Sequence, residues 1–145
     1  MHADTHRTLE VLLDREIDIA RSLQTTLDAE RAALTGDSPD TVTQLAAEKV
    51  QLFAAIEQLD AERRSLWNEP SAGGGGFAAA LAERWTALLT VVAGCRTANE
   101  INGHIIHVRQ HQIRQLMAIV RGGTALTYGP QGKASSTALR ALARA

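Results

Sequence analysis

The most constraining feature of this 145-residue chain is a run of positions, spaced by alternating steps of three and four, from residue 85 to residue 120. Residues at this spacing fall on one face of an α-helix. The face begins apolar at Trp85 and Leu88, turns polar at Asn99 and Asn102, and becomes aliphatic again from Ile106. The sequence therefore predicts one long helix whose packing face changes character at its centre.

Two earlier segments show the same spacing. In the first, a seam of leucines is interrupted at Glu16 and Glu30, and in the second Lys49 and Arg63 occupy seam positions. The second segment opens with Ser38-Pro39-Asp40, in which serine can cap a helix and proline suits its first position. Two long helices joined by a short turn are expected to pack antiparallel.

These segments predict an all-α fold, in which an antiparallel helical hairpin and a long third helix form a three-helix coiled-coil-like bundle with a flexible C-terminal tail. The bundle is predicted to occupy residues 1–122, with helices at about 4–35, 39–68 and 77–121. A glycine-rich linker spans Glu69 to Gly76, and a mobile tail occupies 123–145. Aromatic residues are only 3% of the chain, which favours helices over strands.

Composition limits the classes of function. The net charge of −1 gives no electrostatic case for binding nucleic acid or an anionic membrane. A single cysteine excludes an internal disulfide and suits a reducing compartment. The N-terminus lacks the apolar core of a signal peptide, and no stretch has the roughly 20 apolar residues of a membrane span. We therefore expect a cytoplasmic protein without membrane insertion.

No residue pattern predicts catalysis, a cofactor or a metal site. His104, His107 and His111 share a helix face, but no carboxylate or thiol neighbours them at ligand spacing, so a solvated or partner-facing row is the better interpretation. Cys95 lies on the packing face without an activating neighbour and is interpreted as a small core residue. The scan for enzyme motifs is empty, and we expect a non-enzymatic protein.

The second half of the third helix is predicted to be an interaction surface. The third helix is longer than the hairpin, so its aliphatic face from Ile105 to Val120 has less hairpin to cover it, and an exposed aliphatic face is typical of a binding site. Asn99 and Asn102 allow two interpretations, a polar layer that sets the register of the bundle or a contact with the backbone of an incoming peptide. The sequence leaves these alternatives open.

Two motifs carry a resemblance to a known family. The first is C-x3-N-x2-NG-x-II-x2-R, which runs from Cys95 to Arg109, and the second is YGPQG, from Tyr128 to Gly132. With the helical hairpin, they resemble the FlgN family of flagellar type III export chaperones. The resemblance implies a cytoplasmic chaperone that binds C-terminal segments of hook-associated (hook-filament junction) proteins. It would prevent their premature assembly or aggregation and deliver them to the export gate.

The resemblance also implies site residues. Those that would bind the client are Asn99, Asn102, Ile105, Ile106, Arg109, Ile113, Leu116 and Val120. Those that would dock on the cytoplasmic domain of the export-gate membrane protein are Tyr128, Gly129, Pro130 and Gly132. The alternative is a non-catalytic coiled-coil structural or adaptor module that self-associates through the third helix, and a homodimer is one expected form of the free protein.

Overall fold

Three long α-helices make up the protein in a computed structural model that describes residues 2–36, 38–67 and 79–126. Helix α1 spans His2–Thr35, α2 spans Pro39–Trp67 and α3 spans Ala79–Leu126. No strand occurs in these ranges, and the predicted all-α bundle is confirmed. The predicted linker from Glu69 to Gly76 and the predicted tail beyond Leu126 lie outside the described residues.

The helix ends follow local chemistry in two cases and depart from the prediction in a third. The amide of Gly36 donates to the Ala32 carbonyl at 3.0 Å, which closes the last turn of α1. Helix α2 begins at Pro39, the position that proline favours. Helix α3, however, continues through Gly122 and Gly123, where the sequence predicted its end. Glycine costs a helix about 1 kcal/mol without forbidding it, and the next proline along the chain is Pro130.

The contacts divide the chain into a unit that ends at Asn102 and a unit that begins at Gly103. In the first unit, α1 supplies most of the buried side chains. One apolar cluster joins Leu9, Leu13, Ile17 and Ala20 of α1 to Leu81 and Leu88 of α3. A second cluster joins Leu23 and Leu27 to Cys95 and Ala98. Helix α2 packs against both clusters mainly through partly buried residues, including Ile56, which touches each of them.

The second unit contains the remainder of α3 from Gly103 onward. A β-carbon added at Gly103 would meet no neighbouring atom within 4 Å, so packing does not require glycine there. None of the three helices contains, within the described ranges, an apolar run of the length and character that crossing a membrane requires.

Candidate partner-binding surface

A buried ion pair connects α1 to α2 near one end of the first unit. The Glu16 carboxylate accepts two hydrogen bonds from Nε of Arg63, at 3.0 and 3.3 Å. Both side chains are almost completely buried, with 2% and 7% of their surface exposed. Arg63 also pairs with Asp60 on its own helix, and Asp60 in turn pairs with the exposed Arg64. Glu16 and Arg63, which occupy polar positions in two separate apolar seams of the sequence, are therefore partners.

Two tryptophans enclose the Arg63 guanidinium. Its central carbon lies 4.6 Å from the ring centroid of Trp85 and 6.0 Å from that of Trp67. The two rings are 5.7 Å apart and tilted by 45°. Burial raises the pKa of the Glu16 carboxyl above its ordinary value, and the attraction of Arg63 opposes that shift only in part. We call this group, Glu16, Arg63 and Trp85, the first polar layer.

A second polar layer contains Glu30, Lys49, Asn99 and Asn102. Nζ of Lys49 lies 3.0 Å from the buried Glu30 carboxylate and also makes a longer contact of 3.4 Å with Oδ1 of Asn99. Asn102 is completely buried. It donates to the Leu27 carbonyl at 2.8 Å and to Glu30 at 3.0 Å, and its Oδ1 accepts from Nε of Arg31 at 3.1 Å.

The two layers repeat at the same interval along all three helices. Glu16 and Glu30 are two heptads apart on α1, as are Arg63 and Lys49 on α2, and Trp85 and Asn99 on α3. The antiparallel direction of α2 inverts its order, so that each acid meets a base. Because a one-turn slip of α2 would separate both acids from both bases inside the bundle, the layers specify a single register.

This geometry supports the polar-layer interpretation of Asn102. Both donor and acceptor groups of its amide have partners inside the bundle, and no buried side-chain nitrogen or oxygen lacks a partner in the described part of the chain. Asn99 is half-buried and makes one long contact. A client that used the Asn102 side chain would have to displace three existing hydrogen bonds.

From Arg109 onward the same face of α3 is exposed. We call Ile106, Arg109, Ile113, Leu116 and Val120 the distal stripe. Ile113 is 60% exposed, Leu116 56% and Val120 67%, whereas Leu88 and Cys95, at equivalent spacing earlier on α3, are buried. Arg109 is exposed and Ile106 is half-buried, as is Ile105 beside it. Three large aliphatic side chains within two helical turns thus form an exposed apolar surface of the kind that binds partners.

Sequence reasoning overlooked one member of this surface. Met117 is 50% exposed and lies four residues after Ile113 and three before Val120, so it borders the distal stripe. Its spacing from Ile113 was the available signal. Methionine is flexible and polarizable, and it suits surfaces that accommodate partners of different shape.

The remaining candidates do not form a chemical site. His104 and His107 are exposed, and Nε2 of the half-buried His111 lies 3.5 Å from Nε2 of Gln115. No group of three His, Cys, Asp or Glu side chains that could hold a metal ion occurs among the described residues. Cys95 is buried and its thiol donates to the Ala20 carbonyl, and burial raises the pKa of the thiol. The predicted docking residues Tyr128, Gly129, Pro130 and Gly132 lie outside the described residues.

Comparison with known proteins agrees with the motif resemblance. No match was found among curated proteins or among solved structures. A family model described as FlgN protein matches residues 1–136, which is nearly the whole chain and includes all three helices. The chain therefore belongs to the FlgN family, a family of chaperones that act on flagellar proteins during flagellum assembly.

Proposed function

We propose that this protein is a cytoplasmic chaperone that binds the C-terminal segment of a hook-associated protein through the distal stripe. The supporting observation is the exposure of Ile113, Leu116 and Val120 on one face of α3. Membership of the FlgN family supports a flagellar client in general. On this proposal, binding keeps the client from premature assembly or aggregation until it reaches the export gate.

The chemistry of the surface suits a client that binds as an amphipathic helix. A helix recognised in this way places apolar residues at steps of three and four into an aliphatic surface. Completing the burial of a large aliphatic side chain contributes on the order of 1–2 kcal/mol when about half of it is already covered. Ile113, Leu116, Met117 and Val120 would together support binding without making release slow, which suits a chaperone that hands its client on.

The central test replaces the apolar contact with charge. We expect Ile113→Asp with Leu116→Asp to weaken binding of the client segment at least about 100-fold, because each carboxylate would have to be desolvated in the complex. The measurement is isothermal titration calorimetry of the full-length protein with a peptide from the C-terminus of a hook-associated protein. Circular dichroism should report unchanged helix content, since both side chains are exposed in the free protein.

A matched control uses the same helix. Leu89→Asp with Ile101→Asp also places two carboxylates at exposed aliphatic positions of α3, but both positions precede Gly103. We expect this control to bind the client peptide as the wild type does. If the Ile113/Leu116 variant binds the peptide with wild-type affinity, the proposed surface is wrong.

We further propose that Tyr128, with Gly129, Pro130 and Gly132, docks on the cytoplasmic domain of the export-gate membrane protein. The YGPQG motif and its likeness to the tail of FlgN-family chaperones support this role. Tyr128→Ala is expected to leave client affinity unchanged and to weaken docking about 10-fold or more, which is typical of losing one aromatic anchor. A pull-down with the purified gate domain measures it, and equal docking by both forms would exclude the tail from delivery.

The alternative function is a coiled-coil adaptor that buries the distal stripe by self-association. The same exposed residues support it, because they could pack against a second copy as well as against a client. Light scattering over a concentration series separates the two. A stable dimer that the Ile113/Leu116 variant cannot form, together with no binding of the client peptide, would favour the adaptor.

A further inference from the structure

The charge of the chain is distributed unevenly. All 16 Asp and Glu residues lie at or before Glu100. With nine Lys and Arg over the same stretch, residues 1–100 carry a net charge of −7, and the six Lys and Arg that follow give residues 101–145 a net charge of +6. The overall charge of −1 therefore conceals an acidic part and a basic part. The distal stripe lies entirely in the basic part.

Two of the three arginines that follow Gly103 in the described part of α3, Arg114 and Arg121, lie along one edge of the distal stripe, and the third, Arg109, belongs to the stripe itself. Arg114 is three residues before Met117 and Arg121 is four residues after it, so both border the stripe on the side of Met117. At about 100° per residue, His104, His107 and His111 continue around the helix on that same side. The opposite edge carries Ile105 and Ile119, which are half-buried. The surface therefore combines an aliphatic stripe that contains Arg109 with two further arginines along one edge.

These cations are not neutralised within the described chain. Arg109, Arg114 and Arg121 are exposed, and the ion pairs found among the described residues all lie at or before Arg84. The hydrogen bond found for Arg114 goes to the Gln110 carbonyl on its own helix. Their charge is available to a partner, and complementary charge favours encounter with an acidic one and disfavours a basic one.

We propose that the distal stripe and its basic edge select an acidic amphipathic helix, one whose apolar face is bordered by Asp or Glu. This inference rests on the proposed function in taking the stripe as the client site, and it specifies the chemistry of the client segment. Interfacial membrane helices carry Lys or Arg on the polar face and place Trp and Phe, together with Leu, at the apolar face. No aromatic residue occurs between Trp85 and Tyr128. A helical peptide is therefore the better partner than a lipid surface.

The test uses the full-length protein and three designed helical peptides with identical leucine faces. Their flanking positions carry Glu, Gln or Lys. We expect the Glu peptide to bind about 10-fold more tightly than the Gln peptide at low salt, and the Lys peptide to bind most weakly. The difference should shrink at about 0.5 M NaCl, where the Debye length is only a few Å.

A charge-reversed variant tests whether the preference for the Glu peptide depends on the basic edge of the distal stripe. Arg114→Glu with Arg121→Glu should remove the preference for the Glu peptide or invert it, because both changes fall on the basic edge. The matched control is Arg7→Glu with Arg21→Glu, which makes the same change in net charge at two exposed positions of α1. This control should keep the preference for the Glu peptide.

Three results would overturn the inference. The first is equal affinity for the Glu and Lys peptides. The second is an equal change in peptide preference in the two charge-reversed variants. The third is binding to anionic phospholipid vesicles that depends on the arginines and is tighter than binding to the Glu peptide. The proposed function fails separately. If the protein prefers the Glu peptide but does not bind C-terminal segments of hook-associated proteins, the inference stands and the proposed function fails. If it binds those segments but does not prefer the Glu peptide, the proposed function stands and the inference fails.

Discussion

Arg63→Met is expected to lower the free energy of unfolding by about 3–5 kcal/mol, since removing one member of a buried ion pair leaves the other uncompensated. Glu16 is 2% exposed and depends on Nε of Arg63 for two hydrogen bonds. Methionine keeps an apolar stem of similar length, so the loss reports mainly the guanidinium, with its ion pair and its contacts with Trp67 and Trp85. Urea unfolding followed by circular dichroism measures it.

Two further variants test whether the loss in stability comes from the buried Glu16–Arg63 pair or from removing any arginine of α2. Arg64→Met, at the exposed neighbouring position, removes an ion pair with the same Asp60 and should cost about 0.5 kcal/mol. Replacing both partners, Glu16→Leu with Arg63→Met, should return stability to within about 1 kcal/mol of the wild type, because apolar substitutes avoid the desolvation of both charges. If Arg63→Met and Arg64→Met cost the same, the buried pair has no special role.

The loss in Arg63→Met should depend on pH. The pKa of Glu16 is raised by burial and held back by Arg63, and without Arg63 it rises further. A raised pKa means that the folded state binds the proton more tightly than the unfolded state. The stability contribution of Glu16 therefore falls as pH increases from its ordinary pKa of 4.5 through its higher folded value. The loss in free energy of unfolding caused by Arg63→Met should therefore be larger at neutral pH than near pH 4.5.

The helices themselves could be predicted from the sequence. Steps of three and four identified all three, and the preference of proline for the first helical position placed the start of α2 at Pro39. The end of α3 could not be placed, because Gly122 and Gly123 weaken a helix without breaking it. Local propensity thus predicts where a helix forms better than where it stops.

The pairing between helices was missed although its signal was present. In the sequence, Glu16 and Glu30 interrupt a leucine seam, and Lys49 and Arg63 occupy seam positions of the second helix. A single helix does not reveal which residue of another helix it faces. Comparing the equal spacings on α1 and α2 in antiparallel order would have paired the acids with the bases, and it would have predicted the register of the hairpin.

The sequence predicts that part of the α3 face is exposed, but spacing alone does not show which residues are exposed. Leu88 and Leu116 occupy equivalent positions on the face of α3, yet Leu88 is buried against α1 and Leu116 is exposed. Helical periodicity describes a face and contains no information about what covers it. The uneven charge was likewise hidden by the net value of −1, since a sum over the chain does not report where charges lie.

Asn102→Leu is expected to lower the free energy of unfolding by about 3 kcal/mol, because it leaves the buried Glu30 and the half-buried Arg31 each short of a hydrogen-bond partner. Glu30, which is 1% exposed, would lose one of its two donors, and Arg31 would lose its acceptor on α3. Thermal or urea unfolding of the full-length protein measures the change. Asn99→Leu is the matched control, and its cost should stay below about 1 kcal/mol because Asn99 is half-buried and makes one long contact.

Asn102→Leu also distinguishes the two roles considered for Asn102, which are membership of a polar layer in the bundle and binding of the client backbone. If Asn102 belongs to a polar layer, its replacement should leave client affinity within about threefold of wild type under conditions where the variant is folded, since the side chain is enclosed and lies outside the distal stripe. If instead Asn102 binds the client backbone, affinity should fall while stability is little changed. The second result would overturn the polar-layer interpretation, because an amide with three internal partners cannot be removed at no cost while serving only a ligand.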